Sequence, residues 1–179
     1  MYYSKSTGGF YQADIHGGNI PADAVEITSD YRWELIYGQR QGKLIVADAD
    51  GYPVLADPPA PTLDELKTAK NSEINQARAT ANASTFTHDA KVFSCDALSR
   101  SDIDGVNGYV ALFAALPPTF PGAWKAADNS YYPITDVAAW KAFYASMVAT
   151  GAANFIHAQE LKAQLAAATT PEEVAAIVW

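Results

Sequence analysis

GKLIVADADGYPVLADPPAPT, residues 42–62, sets the organisation of this chain. Lys43 to Asp48 and Tyr52 to Leu55 are two β-type runs separated by Asp50-Gly51, a pair that favours the tight reversal of a hairpin. The next five residues, Asp57-Pro58-Pro59-Ala60-Pro61, hold three prolines. Proline lacks an N–H and fixes φ, so this stretch blocks both helix and sheet pairing and reads as a stiff linker at a domain boundary. Thr62 then stands three residues before Glu65, the spacing of a capping box. Helix-favouring composition continues to about Ala83, with Leu63, Leu66, Ala69, Ile74, Ala77 and Ala81 along one stripe. That stripe is narrow and alanine-rich, so it needs a close neighbour.

Working outward, residues 1–57 form a first module, 58–84 a proline-rich linker and connecting helix, and 85–179 a second domain. In the first module, Met1 to Ser4 and Gly9 to Gln12 flank a Gly-containing turn and read as a hairpin. Pro21 to Ile27 is a strand or extended arm, and a helix is expected over about Asp30 to Gln39, where Trp33, Ile36 and Tyr37 recur at helical spacing. In the second domain, Thr85 to His88 and Val92 to Ser94 read as a hairpin, Ser99 to Ala115 as a helix stopped by Pro117-Pro118, and Trp124 to Ile134 as strands around Asp128-Asn129-Ser130. Two alanine-rich helices, Val137 to Ala149 and Ala152 to Ala167, are expected on either side of Gly151, and Thr170-Pro171 opens a last short helix. The fold class is α+β: a small N-terminal hairpin-and-helix module, a long connecting helix, and a mostly helical C-terminal domain with short hairpins.

Composition narrows the function. The 179 residues are 49% hydrophobic and 18% charged, the balance of a chain that folds around a core. Twelve basic against twenty acidic side chains give a net charge of −8, which repels phosphate backbones and anionic lipid heads, so neither nucleic acid nor membrane is an expected partner. No apolar stretch approaches the roughly 20 residues of a bilayer span, and the N-terminus lacks the pattern of a secretory signal, so a cytoplasmic setting is expected. Cys95 is the single cysteine, which removes internal disulfides and leaves stability to packing.

Catalytic chemistry finds little footing. His16, His88 and His157 fall in different expected elements, and none has a metal-ligand spacing. Asp14 to Asn19, a Gly-rich segment with Asp, His and Asn, has the most ligand-like composition, but a polar connection between strands accounts for it. Cys95 would need a neighbouring base such as His88, while Asp89 and Asp96 nearby in sequence oppose thiolate formation. The pairs Asp48/Asp50 and Asp102/Asp104 suit hydrated turns and a helix start. No nucleophile elbow, phosphate loop or dinucleotide fingerprint is present. The expectation is a protein that is not an enzyme, with no cofactor and no metal.

Aromatic residues are the stronger signal, because Trp and Tyr offer large contact area at low entropic cost. Tyr2, Tyr3, Phe10, Tyr11, Tyr31, Trp33 and Tyr37 crowd the first forty residues, too many for so small a core, and are the candidate partner-binding set. About half must still pack inward, since strands alternate faces. Trp124, Tyr131, Tyr132 and Trp140 are candidates for a carbohydrate- or protein-facing surface, although helical spacing favours core packing for Trp140, Phe143, Tyr144 and Met147. The alanine-rich helices also allow close approach between copies, so a homo-oligomer is compatible with the sequence.

The aromatic opening strands, the polar-capped helix with Trp33 and Tyr37, and the run from Gly42 to Leu55 entering a proline-rich break resemble the tail fibre assembly proteins of tailed phages and prophages. Residues from about 68 to 179 resemble a domain often appended to such proteins and without an assigned function; Asn71 to Asn75, Phe86 to Phe93, Asp96, Ser99-Arg100, Trp124 to Asn129 and Leu161 to Trp179 carry that likeness. One departure is Asp89-Ala90, where Asp-Gly is usual. The resemblance implies a chaperone or accessory subunit that binds the C-terminal tip of a fibre and assists its folding and trimerisation in the cytoplasm of the bacterial host. A retained fibre-tip adhesin reading a cell-surface glycan is the alternative, and a small enzyme using Cys95 or His16 ranks third.

Overall fold

A computed structural model describes all 179 residues, and its contacts divide the chain into two units, Met1–Ala60 and Pro61–Trp179. Each mixes helices with small antiparallel sheets, so the fold is α+β.

The first unit contains β1 (Tyr2–Ser4), β2 (Gly9–Tyr11), α1 (Ala13–His16), a 3₁₀ turn at Gly17–Asn19, β3 (Val25–Glu26), α2 (Ser29–Arg40), β4 (Leu44–Ala47) and β5 (Pro53–Ala56). Three strands form an antiparallel sheet in the order β2-β1-β3, with Tyr3 opposite both Phe10 and Val25. Residues directly opposite share a face, so these three side chains point the same way. Asp23 fastens the turn after β1: its carboxylate accepts from Ser4 Oγ, Ser6 N and Ser6 Oγ at 2.9–3.2 Å. These bonds, the Ser6 backbone N–H first, hold the Asp23 carboxyl below its ordinary value. They also satisfy Ser4, which is fully buried.

Thr28 caps α2 by accepting from Tyr31 N. Strands β4 and β5 pair from Leu44↔Ala56 to Ala47↔Pro53. Their loop is longer than a two-residue Asp-Gly turn: Asp48 Oδ1 accepts from Asp50 N and Tyr52 N at 3.0 and 2.9 Å, and Gly51 supplies φ +90°. Helix α2 packs on one face of this hairpin. The Tyr31 hydroxyl donates to Pro53 O at 2.8 Å, and Gly38 lies so close to Leu55 that a Cβ there would fall 2.2 Å from Leu55 Cδ1.

The second unit contains α3 (Leu63–Asn82), β6 (Thr85–His88), β7 (Lys91–Ser94), α4 (Ala97–Phe113), β8 (Ala123–Lys125), β9 (Tyr131–Pro133), α5 (Val137–Ala167) and α6 (Pro171–Ala175). The Thr62–Glu65 capping box forms at the start of α3 as its spacing implies. Helix α3 packs along α5, burying Ile74 beside Ala158, Leu161 and Leu165, with Val174 and Ile177 completing this cluster from the C-terminal end. A second cluster gathers Phe86, Phe93, Ile103, Ile134, Trp140, Phe143 and Met147.

Helix α5 runs unbroken for 31 residues, where two helices split by Gly151 are expected from the sequence. Glycine inside a helix costs only about 1 kcal/mol. That cost is outweighed because the residues before Gly151 enter one cluster and those after it enter the other. Helix α4 begins two residues ahead of its expected start because Asp96 caps it, accepting from Leu98 N and Ser99 N at 3.0 Å each. A bond from Ser94 Oγ first, and then those from Ser99 and Leu98, hold the Asp96 carboxyl far below the usual carboxylate range.

The β6–β7 turn places Asp89 at φ 45° and Ala90 at φ 61°, with His88 opposite Lys91. Both residues are thus left-handed, a conformation that costs a Cβ-bearing residue such as alanine roughly 1 kcal/mol. Replacing Ala90 by Gly is expected to stabilise the second unit by about 1 kcal/mol in denaturant unfolding. Gly38→Ala should act in the opposite sense, lowering the stability of the first unit by about 1–3 kcal/mol through overpacking against Leu55, measured in the same way.

Candidate partner-binding surface

The seven aromatics selected from the sequence take three different positions. Tyr3 is a core residue, 2% exposed, and packs on Phe10 with ring centroids 5.4 Å apart. Tyr2, Phe10, Tyr11 and Tyr31 are half-buried. The Tyr11 hydroxyl donates to Thr7 Oγ1 at 3.0 Å, and its ring meets His16 edge-on. Tyr31 is turned toward the hairpin by its bond to Pro53. Trp33 and Tyr37 alone are fully outward, 60% and 67% exposed, one turn apart on the same side of α2.

Arg32 joins the two aromatic groups. Its guanidinium lies 5.5 Å from the Phe10 ring centre and 5.3 Å from that of Trp33, so it is held between the sheet and the helix by cation–π attraction. Arg32, Phe10, Met1, Gln12 and His16 line a small cavity of 270 Å³. His16 is positioned there by its own backbone neighbourhood, since its Nδ1 accepts from Gln12 N at 3.0 Å. The Asp14 to Asn19 segment, expected as a polar connection between strands, is a helical turn followed by a 3₁₀ turn.

Four further apolar side chains lie open beside this region of the chain: Leu44, Val46, Tyr52 and Leu55. The pairing register explains Leu44 and Val46, whereas Tyr52 lies in the loop and Leu55 stays partly open although it meets α2. Ile45, Ala47, Pro53 and Leu55 share the face that meets α2, while Leu44, Val46, Val54 and Ala56 share the other. The second face has no covering element within the unit: Leu44 is 42% and Val46 37% exposed. Sequence reasoning missed these residues, although a signal was present. Leu44-Ile45-Val46-Ala47 does not alternate with polar residues, which marks a strand apolar on both faces. A single helix can cover only one of them.

The unit therefore buries few large side chains and exposes many. Tyr3, Ile27 and Leu35 are its buried hydrophobic residues, against Ile15, Trp33, Tyr37, Leu44, Val46, Tyr52 and Leu55 exposed. These side chains lie on two sides of the unit, Trp33 and Tyr37 on the outer side of α2 and Leu44 and Val46 on the hairpin face away from it.

Of the second domain's candidate aromatics, most are packed inward. Trp140 is fully buried, Trp124 packs against it at 5.5 Å, and the half-buried Tyr132 donates its hydroxyl to Asp89 Oδ2. That bond raises the Tyr132 phenol above its ordinary value. Tyr131 alone projects outward, at 68% exposure. Cys95 is buried, and His88 is occupied by Ser146 Oγ at 2.8 Å. No helix is long and apolar enough to cross a membrane.

No solved structure matches this chain. Over 66 residues it is 50% identical to a protein of Shigella phage SfV named as a probable tail fiber assembly protein. The match covers 36% of this chain and 39% of that relative, so less than half of the relative's length is represented. Residues 65–178 match the family described as a domain of unknown function, DUF4376, from the first turn of α3 to the residue before the C-terminus. The chain belongs to the DUF4376 family.

Proposed function

We propose that this protein assists the assembly of a phage tail fibre as a non-enzymatic chaperone or accessory subunit. Its first unit holds the C-terminal tip of the fibre during folding and trimerisation in the host cytoplasm. The observation that carries this reading is the uncovered face of β4–β5, with Leu44 and Val46 exposed, in a unit that also turns Trp33 and Tyr37 outward. The identity with a probable tail fiber assembly protein supports the choice of partner.

Trimeric β-rich fibres form through non-local pairing and leave strand edges and apolar surface open while they fold. A partner with an open apolar hairpin face shields such surface without chemistry. Burial of the roughly two-fifths of Leu44 and Val46 still exposed would contribute about 1 kcal/mol each, a favourable term for binding. Trp33 and Tyr37 fit the role of aromatic anchors, and Arg32 limits the freedom of Trp33 before binding.

Co-expression with the cognate fibre tests this. The fibre is expected to be more soluble and more fully trimeric with this protein than without it. Val46→Asp, which places a charge on the open face, and the Trp33→Ala/Tyr37→Ala pair should each weaken co-purification at least tenfold, about 1.4 kcal/mol or more. Equal solubility and trimer yield without the protein would remove the chaperone role.

A further inference from the structure

The second unit holds a cleft of 620 Å³ that the fibre-binding reading does not use. It draws residues from several elements: Thr85 at the start of β6, Asp102 of α4, Trp124 and Lys125 of β8, Asn129 of the following turn, and Tyr131 of β9. Tyr131 and Lys125 are directly opposite in the β8–β9 register and so share a face.

The polar members of this set have no partners within the chain. The side chains of Thr85, Asp102, Lys125, Asn129 and Tyr131 carry no intramolecular hydrogen bond or ion pair, yet all line one cleft. The surrounding groups are engaged instead. Ser94 and Ser99 both donate to Asp96, and Asp128 accepts from Ser130 N at 2.9 Å and Ser130 Oγ at 2.6 Å while lying 3.5 Å from Lys91. The Asp128 bonds hold the β8–β9 turn, which presents Asn129 at φ 66°. Trp124 is anchored from behind by Trp140 and by Phe120, stacked at 6.3 Å. The cleft thus combines a braced frame with solvent-exposed hydrogen-bonding groups that are free to meet a ligand.

The groups define a ligand class. Asp102 is an acceptor, Lys125 a donor, and Asn129 and Thr85 serve as both. A ligand that satisfies all of them carries several groups that donate and accept. Tyr131 offers a flat, exposed ring, which calls for an apolar face on the same ligand. Phosphate-bearing ligands fit poorly, since the cleft contains a free carboxylate and the chain carries a net charge of −8. A pyranose ring meets every requirement, with hydroxyls at its rim and C–H bonds on its face. We propose that this cleft binds a neutral saccharide, Tyr131 stacking on a ring while Asp102, Asn129 and Lys125 divide its hydroxyls.

The full-length chain can be tested by saturation-transfer NMR against cellobiose, lactose, maltose and methyl α-mannopyranoside. Transfer to the ring protons of at least one is expected, lost in Tyr131→Ala, kept in Tyr131→Phe, and weakened tenfold or more in Asp102→Asn. Both positions are exposed and unbonded, so thermal unfolding should be unchanged, as should co-purification with a fibre. Absence of transfer to all four sugars, or transfer that persists in Tyr131→Ala, overturns the proposal.

Discussion

The contact between Gly38 and Leu55 sets the form of the first unit. Because Gly38 has no Cβ, α2 can lie directly on β5, and the bond from the Tyr31 hydroxyl to Pro53 O fixes the helix about two turns earlier. This decides which face of the β4–β5 hairpin is covered. The strands are apolar on both faces, so covering one necessarily leaves the other open, and no other element of the unit is available to close it. The same helix must then carry Trp33 and Tyr37 on its outer side, since its inner side is taken up by Leu35 and Gly38. The exposed apolar surface is thus a consequence of one close approach.

In the second unit the corresponding constraint is the continuity of α5. Trp140, Phe143 and Met147 enter one cluster, while Ala158, Leu161 and Leu165 enter the other. A break at Gly151 would separate two cores that each depend on the same helix. The bonds from Asn154 to Asn82 and from Lys67 to the Ala166 carbonyl hold α3 along the later half. A frame of this kind, stiff because one long helix serves both cores, suits a site whose groups must stay in place without ligand.

Local signals were legible in the sequence where they act over a few residues. The capping box at Thr62, the helix start at Thr170-Pro171, the hairpins around Asp89 and Asp128, and the α2 helix all follow from short-range chemistry. Properties that depend on tertiary partners were not. Tyr2 and Tyr3 are adjacent, and only the neighbours of the sheet decide that Tyr3 is the buried one. Gly151 carries a helix-breaking preference that packing on both sides overrides. The unalternated run Leu44 to Ala47 was visible, but its meaning depended on how many elements would cover it. The cleft was least legible, because Thr85, Asp102 and Tyr131 lie far apart in sequence, and Asp102 and Asn129 read locally only as a helix start and a turn.

The fibre-tip reading stands or falls on where the first unit is covered in the complex. Hydrogen–deuterium exchange of the full chain, alone and with its fibre, reads this directly. The account predicts slowed exchange across α2 and β4–β5, residues 29–56, with the amides around Leu44 and Val46 most strongly protected. Unchanged exchange over these residues, with protection confined to the second unit, would contradict it.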